Sequence, residues 1–308
     1  MVTSAAARLR RFEVSPSLFR TLTLTSVGAL WLIVVTGATV RLTDSGLGCS
    51  SWPGCEAGQP FPQKDFHSFI EFGNRLVGAV VIVVTLITAL AAFRVAGLPR
   101  FVRWIAVGVF AGTLAQAPLG YLTVRFHLNP YLVISHFLLS AVALGVGVFL
   151  AVAALGVARG TVPSLVPREL RLAAIGAAAG CLVLLVTGTV ATAAGPHAGD
   201  ASDVHRLWRL QDAVFAHAVG TAVFGLSFAF MLGYLVSRRA TAPRFLALAL
   251  GVLGLVGVQI AIGAIQYHSH LPWWLVLAHV ATAASVWVGV VALASLFQQP
   301  LASFGPRA

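Results

Sequence analysis

The chain has 308 residues with 20 Lys+Arg against 9 Asp+Glu, a net charge of +11, yet only 9% of its residues are charged and 58% are apolar, with a mean hydropathy of +0.91. That balance excludes a soluble globular domain and points to an integral membrane protein. The basic excess is no nucleic-acid signature, because it is spread over the ends and loops of apolar segments rather than gathered on a patch.

Eight apolar segments, each close to the roughly 20 residues that cross a bilayer, run over about 20–41, 72–93, 104–123, 131–156, 172–194, 212–236, 245–266 and 273–296. Residues 1–19 read as a cytoplasmic lead. Ala5 to Arg20 carries four arginines and no apolar run, so no cleavable signal peptide is expected and the first span is retained. That span ends in TGATVRLTDSGLGCSSWPGC, a turn-rich outer loop holding Cys49 and Cys55, two of the three cysteines. Outside a bacterial-type membrane this pair reads as a disulfide, either a structural staple or a redox-active pair exchanging electrons with a site. Cys181, inside the fifth span, reads as a packed thiol.

The second span opens with HSFIEFGNRLVG. Helical spacing puts His67, Glu71 and Asn74 on one face, with Arg75 one turn beyond Glu71. Ionisable groups are costly in a membrane, so Glu71 is either a functional carboxylate or half of an ion pair that pins the helix end at the headgroups. The third and fourth spans carry Gln116, Gly120, His127 and His136. Gln116, like Gln259 later, reads as helix-packing glue. His136 falls between one and two turns below the outer surface, and residues 157–170 read as a cytoplasmic linker. The fifth span ends in TGTVATAAGPHAGD, echoing the end of the first without its cysteine. Beyond it, His197, Asp200, Asp203, His205, Arg206 and Arg209 read as a solvated loop whose arginines can pair with carboxylates of a ligand; His268 and His270 read as interfacial.

The chain is an internal duplication. Gln116–His136 and Gln259–His279 align at an offset of 143 with seven of twenty-one positions identical, including Gln116/Gln259, Gly120/Gly263, His127/His270 and His136/His279. The same offset relates Asn74 to His217. The expected fold is therefore all-α, eight transmembrane helices as two tandem parallel four-helix bundles: 20–156, the linker 157–170, and 171–300. Fourteen of the twenty basic residues fall at the chain ends and in the loops after spans two, four and six, which places both termini in the cytoplasm. An even number of spans per half gives both halves one orientation, related by an axis along the membrane normal. Positions 74, 136, 217 and 279 then meet in the outer half of the bilayer.

Two histidines at matched depth on partner helices, His217 and His279, are the arrangement that holds heme between axial imidazoles; a proton relay and core packing are the other uses of such a pair. In the first half Asn74 leaves His136 without a second ligand unless His67, two turns above, swings in. The asymmetry suggests one resident heme and one transient heme.

The eight-span duplicated layout, the histidines on even spans, the outer cysteine pair, the segment Glu71–Arg75 and the run TGATVRLTDSGLGC resemble the heme A synthase family over essentially the whole chain. The resemblance implies oxidation of the C8 methyl of heme O to a formyl group, giving heme A for terminal oxidases. It also implies a resident heme b ligated by His217 and His279, His136 facing heme O in the first half with His67 and Asn74 beside it, and Glu71 as the catalytic carboxylate. Implied partners are heme O, heme O synthase, a membrane redox partner and the lipid of the cell membrane, and a homo-oligomer is left open. Two departures stand out: the family commonly has histidine at the position of Asn74, and many members carry a second cysteine pair after span five. Such patterns are those of its actinobacterial branch. Two other readings fit the residues, a membrane b-type cytochrome passing electrons to or from quinol without modifying heme, and a transporter built on parallel repeats.

Overall fold

The computed structural model describes residues 13–56, 58, 59, 61, 62, 65–159, 166–200 and 206–298. Residues 1–12 of the lead, Lys64, linker residues 160–165, Asp203, His205 and Arg307 lie outside the described residues. The described residues form eight helices: α1 Pro16–Leu42, α2 Phe66–Ala92, α3 Arg100–Arg125, α4 Pro130–Arg159, α5 Arg168–Ala194, α6 Leu210–Ser237, α7 Pro243–His268 and α8 Trp273–Gln298. All eight are long and apolar enough to cross a membrane. At about 1.5 Å of rise per residue each is roughly 40 Å long, more than the hydrocarbon core requires. The chain is an all-α, multi-pass membrane protein.

Helix ends follow local chemistry. Ser15 caps α1 by accepting from the Leu18 amide at 3.2 Å, with Pro16 at the first helical position. Asp65 caps α2 by accepting from the Ser68 amide at 3.3 Å. This cap starts α2 at Phe66 rather than at 72, so His67 and Glu71 are helical. Hydropathy sees only the apolar part of a helix, which also explains why α4 and α5 leave a shorter connection than 157–170.

In the first half α1 packs on α2 and α4, and α3 packs on α2 and α4; in the second α5 packs on α6 and α8, and α7 leans mainly on α8. The halves meet where α8 lies against α1 and α4. There Trp287 donates from Nε1 to the Ala141 carbonyl at 2.8 Å, and Trp31 donates to Ser285 Oγ at 3.1 Å. A side chain at Gly145 would stand 3.0 Å from the Trp287 ring, so a glycine is what lets that indole lie on α4.

The helix ends on the side away from the chain termini are tied across the halves. Arg41, at the end of α1, donates from Nε to the His197 carbonyl at 2.9 Å and from Nη2 to the Thr192 carbonyl at 3.0 Å. His197 is part-buried rather than solvated, its Nε2 2.8 Å from the Leu271 carbonyl. The duplicated His-Leu pairs adopt one backbone shape, a left-handed turn with φ of 49° and 56° at His127 and Leu128 and of 62° and 58° at His270 and Leu271. Two consecutive non-glycine residues in that region are strained. Packing holds the first turn in place, for Leu128 is buried between Gly46 and Gly199.

Candidate functional site

The site residues of the second half sit on α6 and α8, helices that do not approach one another closely among the described residues. α6 is instead drawn against α5 by small residues. A side chain at Gly220 would fall 2.4 Å from Thr187 Oγ1, and one at Gly180 would fall 3.1 Å from the Phe224 backbone. Across the gap between α6 and α8, the His217 and His279 rings face each other with centroids 6.3 Å apart and planes inclined at 70°. A metal bound to one nitrogen of each ring at about 2 Å, with each nitrogen about 1 Å from its ring centre, needs a centroid separation of about 6 Å. The pair therefore fits a metal held axially between two imidazoles, and heme iron is the form suited to the slot of an apolar helix bundle.

Thr187 stands behind His217. Its hydroxyl donates to the carbonyls of Val183 and Leu184 at 3.1 and 3.0 Å, which leaves its oxygen free to accept from Nδ1 of His217 at 3.4 Å. A proton held on Nδ1 leaves Nε2 as the nitrogen with a lone pair to give. The hydroxyl was not visible as a site element in sequence; the only signal was the Thr-Gly dipeptide that recurs near the ends of the first and fifth spans.

In the first half the matching positions are Asn74 on α2 and His136 on α4, again helices that stand apart. Asn74 Oδ1 accepts from Thr36 Oγ1 at 2.8 Å, so the first Thr-Gly dipeptide serves Asn74 as the second serves His217. Gln116 donates from Nε2 to the His136 carbonyl at 3.2 Å and to Ser140 Oγ at 2.7 Å, which fixes the turn of α4 that carries His136. Nδ1 of His136 is buried without a hydrogen-bond partner, as is Nδ1 of His279. His67 is engaged elsewhere: its Nδ1 lies 3.0 Å from Ser45 Oγ and its ring packs edge-on against Phe66.

Glu71 is buried, at 5% exposure, and both of its oxygens are in use. Oε2 accepts from the Cys49 amide at 2.8 Å, and Oε1 accepts from Arg75 Nη2 at 2.6 Å. Arg75 Nη1 also donates to the carbonyls of Ser51 and Gly54, the first at 2.7 Å, while Ser68 donates to the Gly48 carbonyl at 2.6 Å. Cys49 and Cys55 are joined in a disulfide with their Cα atoms 4.4 Å apart. The loop between α1 and α2 is thus stitched to α2 through the Glu71–Arg75 pair. Each carboxylate oxygen retains a second lone pair, so the pairing leaves Glu71 able to accept a proton.

A family model described as COX15-CtaA, cytochrome oxidase assembly protein, matches residues 20–291. A protein named "Heme A synthase" from Geobacillus kaustophilus is 32% identical over 132 residues, covering 43% of this chain and 41% of its own length. One of that name from Geobacillus thermodenitrificans is 33% identical over 106 residues, 34% of this chain and 33% of its own length, and one from Bacillus licheniformis is 32% identical over 116 residues, 37% of this chain and 38% of its own length. The chain aligns with less than half the length of each of these relatives.

Proposed function

The chain belongs to the COX15-CtaA family of cytochrome oxidase assembly proteins, and from that membership we propose that it is a heme A synthase, an oxidoreductase that converts the C8 methyl of heme O to a formyl group. The observation that carries the reading is the His217–His279 pair with ring centroids 6.3 Å apart, in a chain whose first half repeats the plan with one imidazole fewer. Heme b would be held in the second half, 171–300, on His217 and His279, and would supply one-electron redox chemistry there. The first half, 20–156, would receive heme O, with His136 as its axial ligand. Asn74 and His67 would line that site, with Asn74 Oδ1 held by Thr36 and His67 Nδ1 beside Ser45 Oγ.

Oxidising a methyl to a formyl group removes four electrons and adds one oxygen atom, in formal balance R–CH3 + H2O → R–CHO + 4 H+ + 4 e−. Glu71 is the carboxylate able to take such a proton: it is buried, and Arg75 and the Cys49 amide hold it in one orientation. The positive-inside distribution of arginines supports both termini being cytoplasmic, which puts the disulfide loop and the four site positions toward the outer side of the cell membrane. Heme O synthase and a membrane redox partner are the neighbours this chemistry calls for, one to deliver substrate and one to take electrons.

The test is purification of the full chain from cells with and without a source of heme O, followed by an absorbance spectrum and extraction of its hemes. A b-type Soret and α band, with formyl heme formed only when heme O is supplied, is the expected result. A b-type spectrum with no formyl product would make the protein an electron-carrying cytochrome. A chain that purifies without heme would end both readings.

A further inference from the structure

The structure seats each site side chain against a glycine of the preceding helix, and the seats differ in depth. A Cβ at Gly263 would stand 2.9 Å from Cε1 of His279, 3.4 Å from Nδ1 and 4.0 Å from Nε2. One at Gly188 would stand 3.1, 3.4 and 3.9 Å from the same atoms of His217. In both rings Cε1 therefore lies on the glycine, with Nδ1 the nearer nitrogen and Nε2 the farther one. Nδ1 of His217 lies 3.4 Å from Thr187 Oγ1, whereas Nδ1 of His279 is buried without a hydrogen-bond partner. In the first half the seats are shallower. A Cβ at Gly120 would meet Cε1 of His136 at 3.4 Å, an ordinary contact, and one at Gly37 would be 4.0 Å from Asn74 Oδ1.

We propose that Gly188 and Gly263 are positioning residues for the resident heme: each lets an imidazole lie directly on helix backbone, turning Nδ1 toward that backbone and Nε2 toward the metal. This rests on the assignment of heme b to His217 and His279. Two features of the geometry support it. A helical glycine omits the one atom that would collide with the ring, and the close contact fixes which edge of the imidazole lies on the helix. The same device appears once on each of α1, α3, α5 and α7, tight where two imidazoles must hold a metal and slack where the substrate must come and go. Other helical glycines lack it: nothing lies within 4 Å of a Cβ built at Gly225 or Gly254.

The experiment compares wild type, Gly263→Ala, Gly188→Ala and the controls Gly225→Ala and Gly254→Ala as purified full-length protein. Heme affinity, the low-spin absorption and electron paramagnetic resonance signatures, the midpoint potential and the thermal stability of the heme-free chain are measured for each. Gly263→Ala should weaken heme binding about 10-fold or more and broaden or convert the low-spin signal, with Gly188→Ala weaker in the same direction and the controls silent. Thr187→Val, which preserves shape, should keep the heme but raise its potential, because Nδ1 loses an acceptor and the ring donates less charge to ferric iron.

Wild-type affinity, spectrum and potential in both alanine variants would overturn the proposal, as would a fall in thermal stability with unchanged heme. If both alanine variants fail to fold, Thr187→Val decides, and an unshifted potential overturns it. A wild-type chain without heme would instead sink the assignment of heme b beneath it.

Discussion

In the second half two imidazoles face one another across α6 and α8 with centroids 6.3 Å apart, whereas in the first half the corresponding places on α2 and α4 hold Asn74 and His136. The backbones are alike down to the left-handed His-Leu turns, so the difference lies in what was added to each copy. The outer loop of the first half, 43–65, is longer than its counterpart, 195–209, and carries the disulfide together with the buried Glu71–Arg75 pair. The half with one imidazole is the half with the buried carboxylate and the disulfide loop. On the proposed function, a duplicated bundle would thus divide its labour: one copy would grip a metal with two imidazoles, and the other would pair one imidazole with a buried carboxylate.

The largest expected effect comes from making the second half resemble the first. His217→Asn removes one of the two imidazoles proposed to hold heme b and should abolish tight heme binding, read as heme per purified chain; stoichiometric low-spin heme in that variant would break the comparison at its root. Glu71→Gln acts on the other half. It should leave heme b in place while formyl heme falls below detection, with full product formation as the outcome that removes Glu71 from the chemistry. Because Arg75 keeps its charge in a largely buried setting, the same change should destabilise the fold by about 3 kcal/mol, seen as a lower thermal midpoint.

Some of this architecture was legible in the chain itself. Eight helices followed from the lengths of the apolar runs, and the offset of 143 that repeats His136 as His279 also relates Asn74 to His217. Arg41 was not legible as anything but an outer charge, because its partners at Thr192 and His197 arrive from the other half of the chain. His197 was misread as solvated for the same reason: its acceptor, the Leu271 carbonyl, is 74 residues away. The glycine seats were hidden more deeply. Their signal is a missing atom in a chain with 30 glycines, and Gly37 pairs with Gly188 only after allowing for the unequal outer loops, which put them off the offset of the histidines.

A smaller change should run the comparison in reverse. Asn74→His places an imidazole where Thr36 and Gly37 already form the kind of seat that Thr187 and Gly188 form for His217. The expected result is a second tightly held heme, seen as heme per chain rising toward twice the wild-type value when heme O is supplied, with slower release of product. Unchanged stoichiometry would mean that α2 and α4 do not offer the slot that α6 and α8 do.

The smallest expected effect belongs to Thr36→Val, which keeps the shape of the side chain and removes the hydroxyl that holds Asn74 Oδ1 at 2.8 Å. One hydrogen bond of this kind contributes about 1 kcal/mol, so substrate affinity should weaken by up to about fivefold while resident heme b, its spectrum and its potential stay as they were. Steady-state kinetics with heme O should show the change in KM rather than in kcat, because Thr36 orients a side chain that lines the site and takes no part in proton transfer. A shift in the resident heme with KM unchanged would mean that this threonine supports the packing of α1 on α8 instead, and the parallel drawn between the two Thr-Gly dipeptides would fail at its weaker end.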